Sequence, residues 1–282
     1  MTNARELKRR IHTISNIERT VDALQKISAA RLARVRAATL GGRPYTEAII
    51  ALINDIAASR QVSHPLLEVR EGESYMLLAI GADRGMCGAY NANIMRAATE
   101  FIATRHRHEL FFITSGRRIR RFRPRTRARV TREVLRHPRP LNAEAITDVA
   151  DTITTAFLKR HAVRVYFLYT EFHSATGNRP VVRRILPIMP EPQPLAPERI
   201  YEPTPEEILD HLMPLYVRTA VRQAFVEADA SEHAARMVTM EQASVSAKRM
   251  ISELTLDANR LRQSTITREL ADIVGTAEAL RS

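Results

Sequence analysis

The C-terminal quarter of this chain constrains its fold more than any other stretch. From about Glu206 the pattern reads as helix almost to Ser282, with Pro214 near enough to the start to be tolerated. Roughly 75 residues of unbroken helix span about 110 Å, wider than a compact domain. Met237, Met240, Ser244, Ala247, Ile251, Leu254, Ala258 and Leu261 recur on alternating three- and four-residue steps. Many of them are small, so the seam they predict is slender, and such a helix needs a partner along its side.

The N-terminus offers that partner. Between Ala4 and Leu40 the residues Leu7, Ile14, Ile17, Val21, Leu24 and Val35 keep the same step, flanked by Ile11, Ile27 and Leu32. Gly41, Gly42 and Pro44 predict a break or bend there, before "YTEAIIALINDIAAS" turns helical again. Two complementary terminal stripes pair most simply as an antiparallel coiled coil, a rod with the middle of the chain as a knob at one end. Up to its glycines the N-terminal helix covers only about half of the C-terminal one by helix rise, so the far tip should overhang. The apolar stripe there moves to Ile266, Leu270, Ile273, Ala277 and Leu280, a surface that would need another partner.

Between the helices the period changes. "YMLLAI", "LFFIT", "VRVYFLY" and "VVRRILPI" are short apolar or alternating runs that read as strands. Helical patterns beginning near Asn93 and Asn142 separate them, with Ile94, Ala97, Phe101 and Ile102 on one face, and Ile146, Val149, Ile153 and Phe157 on the other helix's face. Strand and helix alternation predicts an α/β domain over 72–188. Seven of the fourteen prolines lie between Pro187 and Pro205, which makes 189–205 a linker between that domain and a helix over 206–282. The N-terminal helical segment is 1–59.

Candidate sites are few. In "AIGADRGMCGAYNANI", Gly81, Gly85 and Gly88 are spaced by four and three, whereas a dinucleotide fingerprint needs two and three. No Gly-Lys-Ser or Gly-Lys-Thr follows, so a shaped turn with local contacts from Asp83 and Arg84, and a helix cap at Asn91 or Asn93, is the better reading. Cys87 is the only cysteine; no intramolecular disulfide can form, and a packed thiol is expected. His106 and His108 form an H-x-H pair beside Arg105 and Arg107, whose charge opposes metal binding. No catalytic constellation, metal site or cofactor site emerges. No apolar run approaches the ~20 residues that cross a bilayer, and the Arg-rich beginning carries no secretory signal block.

The net charge of +12 is local. Arg117 to Arg139 contains eleven arginines against one acid, Glu133, and the remainder holds 32 basic and 30 acidic residues. Two readings stand: a phosphate-binding patch for nucleic acid or anionic lipid, or a solvated edge strand on which Arg125, Arg127 and Arg129 alternate with Thr126, Ala128 and Val130. The first reading, carried to function, gives a basic coiled-coil protein that binds RNA or DNA.

Several blocks, in order, resemble the gamma subunit of the rotary F-type ATP synthases: "MTNARELKRRIHTISNIERTVDALQKISAARL", "GGRPYTEAI", "HPLL", "DRGMCGAYNANI", "RVYFLYTEFHSATGNRPVVRRILPI", "YEPTPEEIL" and "SEHAARMVTM" with "ELTLDANRLRQSTITRELADIVGTAEAL". The resemblance covers nearly the whole chain. It implies a long antiparallel coiled coil carrying a central Rossmann-like α/β domain. It further implies a non-catalytic central-stalk rotor that turns inside a ring of alpha and beta subunits and couples ion flow through the membrane c-ring to ATP synthesis or hydrolysis. By position, Arg262 and Gln263 match shaft residues that touch the beta subunits, and Leu24 lies in the stretch facing them. Ile266, Leu270, Ile273, Ala277 and Leu280 fall at the apolar sleeve of the ring; Pro44, Tyr45 and Tyr201 fall at the foot, against the c-ring and epsilon. The implied setting is peripheral, on the cytoplasmic face of a bacterial inner membrane, without bound cofactor or nucleic acid. Anionic lipid headgroups are an expected contact of the Arg-rich segment.

Overall fold

The computed structural model describes residues 4–59, 62–105, 109–122, 130–135, 140–190 and 201–279. Helix α1 spans Ala4–Ser59, followed by β1 Ser74–Ile80, α2 Tyr90–Ala103, β2 Glu109–Ser115, β3 Val130–Leu135, α3 Ala143–Leu158, β4 Arg164–Glu171, β5 Arg179–Leu186 and α4 Pro205–Ala279. The chain divides into two compact units, one of 1–27 with 237–282 and one of 28–236, and both long helices contribute to both.

The larger unit is built on one five-stranded sheet of order β3-β2-β1-β4-β5. β1 pairs in parallel with β2 and β4, and β2 in parallel with β3, while β5 runs antiparallel to β4. α2 makes the crossover from β1 to β2 and α3 the one from β3 to β4, and helices on both faces explain why β1 is a continuous apolar run. Alternate β1 side chains point to opposite layers. Met76, Leu78 and Ile80 join α3, Ile49, Ile53 and Ile56 of α1, and Leu209, Met213 and Val217 of α4. Tyr75, Leu77 and Ala79 face Tyr90, Ile94, Ala98 and Ile102 of α2. Each fully buried isoleucine or leucine here contributes about 2 kcal/mol relative to an exposed one.

The helix ends follow from local chemistry in two cases and from tertiary contacts in a third. Asn142 caps α3, its Oδ1 accepting from the Ala145 N–H at 2.9 Å. At α4 the Glu207 N–H donates to Thr204 Oγ1 at 3.3 Å, while Glu207 Oε2 accepts from the Thr204 N–H and hydroxyl at 3.1 Å, with Pro205 in the first helical position. By contrast α2 starts at Tyr90, and neither Asn91 nor Asn93 caps it. Asn91 instead accepts from the Ala82 N–H at 2.9 Å and donates to Cys87 Sγ at 3.4 Å.

Of the break or bend expected at Gly41, Gly42 and Pro44, the break does not occur; α1 continues as helix through them. Its neighbour α4 supplies the reason. A Cβ on Gly42 would sit 2.4 Å from Gln223 Oε1, so the glycine admits that side chain, whose Nε2 donates to the Thr39 carbonyl at 3.1 Å. Helix-weakening residues are tolerated where a neighbouring helix fills the space they leave. Tyr201, just ahead of α4, donates its hydroxyl to Asp55 near the other end of this α1 stretch at 3.2 Å, so within this unit the two helices run antiparallel.

In the smaller unit Glu18 Oε1 accepts from Ser244 Oγ at 3.1 Å and lies 3.6 Å from Lys248 Nζ. Ser244 and Ala247 are buried, and Ile251, Leu254, Ala258 and Leu261 are half-buried at the predicted step. The linker 189–205 falls largely outside the described residues.

Gly116 has φ +105° and would place a Cβ 2.3 Å from the Gly81 carbonyl oxygen. Both the backbone and the space exclude a side chain. Gly116→Ala should cost more than about 2 kcal/mol and lower the melting transition of the α/β unit, measured by differential scanning calorimetry. An unchanged transition would show that this turn relaxes freely.

Candidate functional site

The glycine-rich turn after β1 is occupied by the protein itself. A phosphate cradle needs free N–H groups, yet the Gly81 N–H donates to the Ser115 carbonyl at 2.8 Å and the Ala82 N–H to Asn91, while Asp83 sets a carboxylate in the turn that accepts from the Arg117 N–H at 3.0 Å. Its outward carbonyls meet α4. Arg236 donates through Nε to the Gly85 carbonyl at 3.2 Å and through Nη2 to the Arg84 carbonyl at 3.4 Å, and its charge is paired with Glu232 at 2.7 Å. Both partners of that pair are buried. Tyr90 adds a bond from its hydroxyl to the Ala228 carbonyl at 3.1 Å. Cys87 is buried here, and burial pushes its thiol up, which keeps it an inert packed group.

A second polar centre ties the long helices to the sheet. Glu227 of α4, 2% exposed, accepts from Arg43 Nε at 3.0 Å, Gln223 Nε2 at 2.8 Å and the Phe172 N–H at 3.2 Å. Arg43 also donates to the Phe172 carbonyl. On the sheet side Glu171 pairs with Arg183 and with His173 at 3.0 Å. Burial pushes the Glu171 carboxyl up, but Arg183 and His173 outweigh it and hold the group below the usual carboxylate range. These contacts can carry force between helix and sheet; they assemble no nucleophile, base and oxyanion donor around a common point. Among the described residues no cluster of His, Cys, Asp or Glu is placed to hold a metal ion. His106 and His108 lie outside the described residues.

The residues named at the ends of the chain are exposed helix faces. Leu24 is half-buried, and every described side chain from Arg262 to Thr276 is exposed, Gln263 included. Ile266 is 48%, Leu270 57% and Ile273 65% exposed, and Val274, which the sequence pattern passed over, is 59% exposed. The side chain of Ala277 and the whole of Leu280 lie outside what is described. Among the foot residues Pro44 and Tyr45 are exposed, whereas Tyr201 packs partly against the core and is tied to Asp55. The structure therefore brings Tyr201 into the fold and leaves the others on surfaces. Sequence reasoning misses Arg236 and Glu227 because nothing in a helical repeat distinguishes a buried charge from a solvated one.

The model of the ATP synthase family matches residues 3–280. The ATP synthase gamma chain of Pelotomaculum thermopropionicum is 35% identical over 284 residues, covering 99% of this chain and 100% of its own length. That of Dehalococcoides mccartyi strain CBDB1 is 37% identical over 295 residues, with coverage of 99% and 100%. This chain belongs to the ATP synthase gamma chain family. The gamma chain fold is shared with a chain of the Euglena gracilis mitochondrial ATP synthase, solved by cryo-EM as an OSCP/F1/c-ring assembly, at a TM-score of 0.65 and 15% identity over 98% of this chain and 94% of that one. The central α/β domain and the two long terminal helices are the architecture expected from the sequence; the strand order and the antiparallel fifth strand are added by the structure.

The Glu171 carboxyl, depressed in the folded state, contributes stability that is present above its ordinary pKa and lost as pH falls through its lowered folded value. Replacing Arg183→Gln should therefore destabilise this gamma chain by about 1 kcal/mol at about pH 7, with the difference shrinking toward about pH 3. Urea unfolding across that range checks it; a pH-independent difference would remove Glu171 from the account.

Proposed function

We propose that this chain is the central-stalk rotor of an F-type ATP synthase, turning within an alpha and beta ring while its α/β unit meets epsilon and the membrane c-ring. One observation carries the reading furthest: α4 ends in a run from Arg262 to Thr276 in which every described side chain is exposed, Ile266, Leu270, Ile273 and Val274 among them. A bare apolar helix end is costly in water and fits a sleeve that surrounds it in an assembly. Arg262 and Gln263, one turn earlier, are available to bond beta-subunit loops, and Leu24 presents a partly open apolar contact on α1. Pro44 and Tyr45 offer an exposed foot, with Tyr201 acting from within the fold.

The rotor's work is mechanical. Rotation of α4 and α1 would present successive faces to the beta subunits, and the Arg236 and Glu227 contacts would hold the sheet to the helices that turn. Among the described residues no helix is long and apolar enough to cross a membrane, which fits a peripheral seat on the cytoplasmic face of a bacterial membrane. Membership in the gamma chain family gives the nucleic-acid reading of the basic segment no support.

Ile273→Asp tests the bearing. The isolated chain should keep its helicity and thermal midpoint within about 0.5 kcal/mol, because the site is exposed, while reconstitution with alpha and beta subunits should weaken at least about tenfold, because the charge is buried only there. A destabilised chain that assembles normally would place the stripe inside its own fold and reject the bearing.

The Arg-rich segment, whose centre at 123–129 lies outside the described residues, we assign to anionic lipid headgroups beside the c-ring. Replacing Arg117, Arg120 and Arg121 with Gln should reduce binding to phosphatidylglycerol vesicles at low salt and leave it unchanged at high salt. Equal binding at low salt would make the segment a solvated face.

A further inference from the structure

The larger unit contains a cavity that the rotor reading does not use. About 500 Å³ of space lies between α1, α4 and the β4–β5 pair, a volume typical of small-molecule sites. Two tyrosines line it, Tyr169 of β4 at 5% and Tyr216 of α4 at 8% exposure, and neither hydroxyl makes a hydrogen bond among the described residues. Neither oxygen is among the buried side-chain atoms left without a partner, so both hydroxyls are open to solvent and can donate to a molecule that enters the cavity. Burial pushes both phenols up, which keeps the hydroxyls protonated and able to donate.

The surrounding charges decide what that partner offers. Glu227 already accepts three bonds, and Glu171 accepts from Arg183 and His173, so the buried acceptors of the wall are engaged. Donors remain. Arg43 uses Nε and Nη2 and keeps Nη1, and Arg183, on the cavity face of β5, spends one nitrogen on Glu171. Glu47, the remaining acid of the wall, is exposed. Ile50, Phe167 and Ile185 make the rest apolar.

We propose that this cavity is a binding site for a small amphiphilic carboxylate, its oxyanion head taken by Tyr169, Tyr216 and the free guanidinium nitrogens and its short apolar body lying against Ile50, Phe167 and Ile185. The ligand bridges α1, the sheet and α4, so its occupancy stiffens the attachment of the long helices to the α/β unit. The assignment stands on the cavity and its donors and is independent of the rotor reading.

Octanoate is the probe, with octanamide as the neutral molecule of equal length. Saturation-transfer NMR on the full chain should detect octanoate at or below about 10 mM, with octanamide binding at least about tenfold more weakly. In the Tyr169→Phe, Tyr216→Phe double variant, which removes only the two oxygens, the Kd for octanoate should rise at least about tenfold. Should that variant lose its native circular dichroism, Arg183→Gln on an exposed side chain gives the same readout and should weaken octanoate selectively. No transfer to octanoate at about 10 mM, equal binding of the amide, or an unchanged Kd in the folded variants overturns the site.

Discussion

The buried carboxylate of Glu227 is the interaction on which the larger unit depends. A charge taken out of water is tolerated only when paired and fully hydrogen-bonded, and Glu227 meets that condition by drawing on three parts of the chain at once. Arg43 comes from α1, the Phe172 N–H from the end of β4, and Gln223 from α4 itself, whose amide reaches on to the Thr39 carbonyl. Removing any donor would leave the carboxylate under-satisfied, so α1, α4 and the sheet are held in one arrangement. The path of α1 past Gly41, Gly42 and Pro44 follows from this. Gly42, which weakens the helix, is also the residue that lets Gln223 approach.

The same logic recurs one layer away at Arg236. Its ion pair with Glu232 is buried, and its remaining donors reach the carbonyls of Arg84 and Gly85. The glycines that invite comparison with a phosphate loop therefore serve a different end. The carbonyls of Arg84 and Gly85 approach the helix, the Gly81 and Ala82 N–H groups are spent on the Ser115 carbonyl and Asn91, and the Asp83 carboxylate accepts from the Arg117 N–H. For a chain of this family such joints suit a part that transmits force: they are directional, resist shear, and are replaced by nothing in the solvent.

Much of the architecture is legible in the order of the residues. The continuous apolar run of β1 signals burial on both faces, and Asn142 and the Thr204 to Glu207 box behave as helix-start chemistry dictates, because capping needs only neighbours a few residues away. Asn91 misleads for the opposite reason. Its amide has a nearer use in bonding Ala82 and Cys87, and a turn that folds back on itself cannot be read from spacing. The solvated edge-strand reading rests on Arg125, Arg127 and Arg129, which lie outside the described residues; the described strand beside β2 is Val130–Leu135.

The sequence by itself determined the long helical stripes, the alternation of strands and helices, and the exposed apolar end at Ile266, Leu270 and Ile273, since periodicity acts within one element and needs no partner to be visible. Only the tertiary structure decided which charges are buried, where the glycine turn docks, and that α1 survives its proline. Those outcomes turn on contacts between residues as distant in sequence as Arg43 and Glu227 or Gly85 and Arg236. Desolvation and pairing exist only once such residues meet, and no local pattern encodes the meeting.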